Sequence, residues 1–160
     1  MKISYAFGVV LMLLVLPSQV NAARSCSFPS PGGTLVNFGE YFSGSALDVD
    51  GTGSFEILCT DTAPVPLPFN YTVTINQGNS NTFAYREMQF AGEAVQYQLY
   101  TDILRTTVLG DPLLDASTAA KSGICIANAN CIIEIHGRIF AGQFISGGGY
   151  SDAVVVDFQF

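Results

Sequence analysis

Few residues of this 160-residue chain have the types and spacing that a catalytic site requires. His136 is the sole histidine, and a Ser-His-Asp set with Ser151 and Asp152 has no spacing signal to support it. The alternating pattern around His136 places it on a polar strand face with Glu134 and Arg138, so we expect a solvated histidine. No catalytic residue, enzymatic activity or small-molecule substrate is predicted.

Two aspartates in "LDVDGTGSFE", Asp48 and Asp50, faintly resemble the start of a calcium-binding loop. Counted from Asp48, position 12 is Cys59, so the closing glutamate of such a loop is missing. A glycine-rich turn is the better interpretation. One histidine and no Cys-x2-Cys pair also argue against zinc. We therefore expect neither a metal nor a cofactor.

Three further carboxylates, Asp102, Asp111 and Asp115, cluster in one long stretch between apolar segments. Glycoside hydrolysis uses carboxylate pairs. The solubility of a loop explains these three residues equally well. They are not assigned a site.

Cysteines give a clearer signal. Cys26, Cys59, Cys125 and Cys131 are an even set, suited to two disulfides in an oxidising compartment. Four cysteines allow three connectivities, of which we favour Cys26 with Cys59 and Cys125 with Cys131. In the chain-entropy model the longer of these two loops stabilises the fold more.

An export signal agrees with this cysteine usage. Lys2, the mostly apolar run of residues 3–16 and the small-residue site Val20-Asn21-Ala22 have the layout of a secretory signal peptide. We expect cleavage after Ala22, which divides the chain into a signal peptide (1–22) and a single domain (23–160). After removal of the signal peptide, which contains Lys2, the chain has five basic and thirteen acidic residues, and this net charge of −8 disfavours nucleic acid as a partner.

The elements that must position these residues are strands, because apolar and polar residues alternate along much of the chain. About seven strands are predicted, including short ones near "TLVNFG" and "YREMQF" and a last one over "DAVVVDFQF", with a helical turn around Asp115–Lys121. This pattern predicts an all-β, immunoglobulin-like sandwich, with a closed barrel as the second choice. The residues expected to face the core are Phe55, Ile57, Cys59, Tyr71, Val73, Ile75, Val95, Tyr97, Leu99, Ile133, Ile135 and Ile139. Gln96, Gln98, Tyr100, Glu134, His136 and Arg138 are expected to face outward.

These strands resemble the spore coat protein U-like domain of archaic, or Csu-type, chaperone-usher pilins. The matching pieces are "VNFGEY" (36–41), "GSFEILCT" (53–60), "YREM" (85–88), "VQYQLYTD" (95–102) and "GGGYSDAVVVDFQF" (147–160). The resemblance implies a pilin-type sandwich that lacks its final strand. It also implies donor-strand exchange, in which a periplasmic chaperone and then a neighbouring subunit supply that strand at an outer-membrane usher.

The last strand is where such a groove is expected. An apolar strand that no further strand covers leaves one edge exposed, and folded proteins normally protect such an edge. We therefore expect a donor-strand groove along Val154 to Phe160, lined by Val154, Val156, Phe158 and Phe160.

The N-terminal end of the predicted domain suggests a position for the subunit in the pilus. Only Ala23, Arg24 and Ser25 stand between the expected cleavage site and Cys26, whereas a donor strand needs roughly 8 to 12 residues. We therefore expect a cell-surface tip subunit that accepts a strand and donates none. Candidate surface-contact residues are Val108, Leu109, Leu113 and Leu114. The alternatives are a shaft or adaptor pilin and a secreted binding domain that completes its own sandwich.

Overall fold

The computed structural model describes residues 24–29, 35–62, 65 and 67–160. The predicted signal peptide, residues 1–22, lies outside this range. Within the described residues, no helix is long and apolar enough to cross a membrane.

Eight strands and one short 3-10 helix (Gly78–Ser80) make up the regular structure of the described residues, where the sequence predicts about seven strands. The first unforeseen strand, β1, is short and has Cys26 as its single apolar residue, and in the other, β6, the consecutive apolar residues 124–126 interrupt the alternation. The strands are β1 (Arg24–Ser27), β2 (Val49–Asp61), β3 (Pro68–Ile75), β4 (Arg86–Phe90), β5 (Glu93–Tyr100), β6 (Lys121–Ile126), β7 (Asn130–Ile139) and β8 (Val156–Gln159).

The strands form two antiparallel sheets. The larger has the order β1-β2-β7-β5-β4 and the smaller has the order β6-β3-β8. The predicted all-β, immunoglobulin-like sandwich is therefore confirmed, and the closed barrel is wrong because the sheets stay separate. The smaller sheet has only three strands among the described residues, so the sandwich is incomplete on that side.

The core lies between the sheets. Alternate residues of β2, β5 and β7 meet those of β3, as the sequence predicts, because burying one face of each sheet is the main source of stability. The buried apolar side chains from these strands include Ile57, Cys59, Phe69, Tyr71, Val73, Ile75, Val95, Tyr97, Leu99, Ile133, Ile135 and Ile139.

Two disulfides tie strands together. Cys26 bonds to Cys59 across a directly paired position of β1 and β2, and Cys125 bonds to Cys131 between β6 and β7. These are the pairings that the sequence favours. We refer to them as the β1–β2 disulfide and the β6–β7 disulfide.

Three residues predicted to face outward are buried: Gln98, Tyr100 and His136. The long connection between β5 and β6 covers this part of the larger sheet. From this connection, Arg105 Nε donates a hydrogen bond to the Gly137 carbonyl (2.9 Å), and the Thr101 carbonyl accepts one from Lys121 Nζ of β6 (2.7 Å). Strand alternation alone does not reveal a loop that folds back over a polar face.

Residues 36–41 also differ from the prediction, because they form no strand. Phe38 instead packs against Gly51 and Gly137, which face each other on β2 and β7. A Cβ on Gly137 would stand 2.6 Å from the Phe38 ring, so this position requires glycine. The helical turn expected around Asp115–Lys121 is a set of tight turns, and β6 begins at Lys121.

Candidate strand-binding groove

Strand β8 is an edge strand of the smaller sheet. It pairs with β3 on one side, where Val156 lies opposite Ile75 and Phe158 opposite Val73. Just before β8, the Val155 amide donates to Asn76 Oδ1 (2.8 Å), which extends the attachment to β3. In the described part of the chain no strand pairs with the other side of β8. Its outer backbone groups are therefore available to another strand.

A large cavity opens beside this edge. Its volume is about 1440 Å³, and its lining includes the core residues Val95, Tyr97, Leu99 and Ile139. Residues 35–42 and 145–154 line it as well, together with Val156. The open edge of β8 thus borders an apolar space that reaches the core.

Two of the four predicted groove residues, Val154 and Val156, line this cavity. Phe158 and Phe160 do not line it. They form an aromatic pair at the end of β8 and just after it: Phe158 stacks on Tyr71 (5.9 Å between ring centroids) and Phe160 meets Phe69 edge-on (6.4 Å). The structure therefore places Val156 and Phe158 on β8, with Val154 and Phe160 just beyond its two ends, and brings only Val154 and Val156 into the cavity lining.

Residues 35–42 contribute part of the cavity lining from the side of the larger sheet. Phe38 makes an edge-on contact with the Tyr97 ring (5.6 Å), and Val36 and Tyr41 are half-buried against the core. Among the described residues this segment pairs with no strand. The lining therefore includes a second stretch of chain outside the two sheets.

Polar contacts hold the chain that leads into β8. The Tyr97 hydroxyl donates to Asp152 Oδ2 (2.8 Å), and the Asn79 amide donates to Asp152 Oδ1 (3.1 Å). Burial, with the hydrogen bond to Asp152, raises the pKa of Tyr97, so its hydroxyl stays protonated and remains a donor. These contacts fix the approach to the open strand.

Residues 145–150 are held by Glu93. Its carboxylate accepts the Ser146 amide (2.7 Å) and the Tyr150 hydroxyl (2.9 Å). The Ser146 amide and hydroxyl, and then the Tyr150 hydroxyl, lower the pKa of Glu93. The carboxylate therefore stays charged beside the groove.

Arg86 is fully buried and was not singled out from the sequence. Its guanidinium donates to the Asn76 carbonyl (2.9 Å from Nη2), to the Leu109 carbonyl (2.8 Å) and to the side chain of Gln98. Arg86 lies on the larger sheet and Asn76 directly follows β3, so these bonds join the two sheets near the start of β8. The available sequence signal was an arginine inside the predicted strand "YREMQF".

The predicted surface-contact residues separate into two groups. Leu109 is buried, which corrects the prediction: its amide donates to the Leu99 carbonyl (2.9 Å) and its carbonyl accepts from Arg86. Val108 is half-buried, in a bridge with Tyr100. Leu113 and Leu114 are 94% and 72% exposed, so only this pair stands fully on the surface.

The residues weighed for catalysis do not come together. His136 Nδ1 lies 3.3 Å from Thr52 Oγ1, whereas Asp152 is engaged with Tyr97. Asp50, which was weighed for calcium, pairs with Arg138 (2.7 Å) and lies in β2, so the glycine-rich turn predicted there is wrong. Asp102, Asp111 and Asp115 each accept backbone amides of their own loop. The described residues include no group of three or more His, Cys, Asp or Glu side chains that could hold a metal ion.

The fold and the groove define an incomplete immunoglobulin-like sandwich with an open C-terminal strand. The sequence model of the Spore Coat Protein U domain matches residues 13–157, and the chain belongs to this family. No curated protein matches the chain.

Two solved structures are similar to this chain. One is the CsuC-CsuE chaperone–tip adhesion subunit pre-assembly complex from archaic chaperone-usher Csu pili of Acinetobacter baumannii, with 20% identity and a TM-score of 0.51 over 86% of this chain. The other is a chaperone–tip adhesin complex of CFA/I fimbriae biogenesis, with 10% identity and a TM-score of 0.48 over 84% of this chain. The chain spans 40% and 41% of the lengths of the chains it matches.

Proposed function

We propose that the protein is a structural, non-enzymatic subunit of a chaperone-usher pilus that accepts a β-strand from another polypeptide along β8. The observation that carries this proposal is the open edge of β8 beside a cavity lined by core residues. An incoming strand gains backbone hydrogen bonds to β8 and places alternate side chains against the core. Burying four apolar side chains supplies about 6 to 12 kcal/mol before the cost of ordering the strand.

The partners follow from the proposed role. A periplasmic chaperone protects the groove after export, and a neighbouring pilin subunit replaces the chaperone at the outer-membrane usher. An open apolar edge is an aggregation hazard, so the subunit needs such a cover at every stage. The protein then passes from the periplasm to the cell surface.

We place the subunit at the pilus tip. Residues Arg24–Ser27 pair with β2, and the β1–β2 disulfide holds them there, so this segment is not free to enter another subunit. N-terminal sequencing of the exported protein tests the tip position: a start at Ala23 agrees with it, and a start well upstream favours a shaft or adaptor subunit. At the tip, Leu113 and Leu114 are the candidate contacts to a surface.

Two adjacent valines allow a matched test of the groove. Val156, the first residue of β8, lines the cavity, whereas Val155 just before it is 66% exposed. The reference strand is a synthetic peptide of about 12 residues in which apolar residues alternate with serine. We expect Val156→Asp to weaken its binding at least tenfold, because a carboxylate would enter apolar surroundings, and Val155→Asp to leave binding within about twofold.

Circular dichroism and the midpoint of urea unfolding establish that both variants are folded. Equal binding by the two folded variants contradicts the groove. A stable monomer that never binds the reference strand supports the alternative of a self-complete secreted domain.

A further inference from the structure

Among the described residues, the charged groups that line the groove are all carboxylates. Glu40, Glu56 and Asp152 are among the cavity-lining residues of the described chain, and no lysine, arginine or histidine is. Asp157 is exposed on β8, the strand that would pair directly with an incoming one. An inserted strand therefore meets negative charge along its path.

The basic residues of the described chain are engaged elsewhere. Arg24 pairs with Asp61 (2.8 Å), while Arg105 and Arg138 both pair with Asp50 (3.2 and 2.7 Å). Lys121 donates to the Thr101 carbonyl, and Arg86 is buried among carbonyl groups. Of the cavity carboxylates, Asp152 is attracted by the buried Arg86 guanidinium, whereas no ion pair of the described residues involves Glu40 or Glu56.

We propose, building on the proposed function, that the groove selects a basic strand. The occupant is a segment of a different polypeptide, with apolar residues facing the core and lysine or arginine at the intervening, solvent-facing positions. Opposite charges on neighbouring strands stabilise a sheet, and like charges directly opposite each other destabilise it. Asp157 supplies such a neighbour on β8, and Glu40 and Glu56 in the cavity lining add to the attraction.

Three peptides that share one pattern of apolar residues test this selection. Their intervening positions hold lysine, serine (the reference strand) or glutamate, and their dissociation constants are measured on the purified full chain at about 10 mM and about 1 M salt. We expect the lysine peptide to bind about tenfold more tightly than the glutamate peptide at low salt. The ratio should fall to about twofold at high salt, because salt screens exposed charges.

The double variant Glu40→Gln and Asp157→Asn is the matched control, since it keeps side-chain size and removes two charges. It should reduce the preference for lysine over glutamate at least threefold, and an unchanged preference would overturn the charge argument. Excess reference strand must also displace the lysine peptide, because continued binding would show attachment outside the groove and overturn the proposal.

The binding results distinguish strand acceptance by the groove from its selection of a basic strand. If the reference strand binds and the three peptides have equal affinities, the groove accepts a strand but does not select its charge, which overturns this inference alone. If no peptide binds, including the reference strand, strand acceptance itself fails.

Discussion

Replacing Arg86 with methionine removes the guanidinium that joins the two sheets near the start of β8. Arg86 is completely buried and donates to the carbonyl groups of Ile75, Asn76 and Leu109 and to the side chain of Gln98. Methionine fills much of the same volume but donates no hydrogen bond. The substitution therefore tests the polar network and not the packing.

The expected loss follows from the acceptors left behind. Each buried acceptor without a donor costs about 1 to 3 kcal/mol, and removing one partner from a buried charged network costs about 3 to 5 kcal/mol in total. Asn76 is exposed, so water can donate to its carbonyl in place of Arg86. The total loss of stability is therefore smaller than four unpaired acceptors would give. We expect about 4 kcal/mol, or a decrease of about 10 to 15 °C in the melting temperature.

Urea unfolding of the purified protein measures this loss, with both disulfides intact and with the reference strand at one fixed concentration. Arg138→Met is the matched control, because Arg138 pairs with Asp50 at the surface and should cost less than about 1 kcal/mol. An equal loss in the two variants would refute the role of Arg86 in joining the sheets.

Three further predictions concern pH, disulfides and surface contact. Burial, with Lys121 and Arg105 nearby, lowers the pKa of His136 below its usual 6.5. As pH falls, the unfolded chain therefore binds this proton before the folded chain does, so the free energy of unfolding decreases below about pH 6.5. His136→Asn should flatten urea-unfolding stability between about pH 7.5 and 5.5; an unchanged slope contradicts this reasoning. The β1–β2 disulfide closes a loop of 33 residues and the β6–β7 disulfide a loop of 6. Replacing the cysteines of the longer loop by alanine should lower the free energy of unfolding by about 3.7 kcal/mol, and those of the shorter loop by about 2.2 kcal/mol. The opposite order in urea unfolding would contradict the chain-entropy argument. Leu113→Ser with Leu114→Ser should leave stability within about 0.5 kcal/mol and reduce adhesion of assembled pili to their surface; unchanged adhesion excludes the contact role.

Alternation predicted the core because it follows directly from strand geometry. Residues such as Ile57, Val73 and Ile135 are buried as expected, since side chains two positions apart share a face. The apolar run in "DAVVVDFQF" also predicted a strand here, and β8 is the strand whose outer edge no other described strand covers.

Long-range packing was beyond the reach of local patterns. His136 and Gln98 follow a polar pattern but are buried, because the connection between β5 and β6 covers one and Arg86 binds the other. Leu109 looked like a loop residue, yet it packs in the core because its backbone pairs with Leu99. In each case a contact between distant parts of the chain overrides the local pattern.

The cavity itself depends on glycine and phenylalanine residues far apart in sequence. Phe38 contributes to its lining only because Gly51 and Gly137 leave room for the ring. No periodicity connects these positions. The sequence therefore supports only the prediction that the C-terminal strand is a groove edge, which stays a prediction, whereas the remaining residues that line the cavity required the structure.

Hydrogen–deuterium exchange with and without the reference strand tests strand acceptance most directly. The smaller sheet has two edges among the described residues, β8 beside the cavity and β6 on the far side, so β6 serves as an internal control. We predict that the amides of β8 exchange at least tenfold more slowly when the strand is bound, while those of β6 are unchanged. Protection of β6 instead, or unchanged exchange in β8 at saturating strand, would contradict donor-strand acceptance along β8.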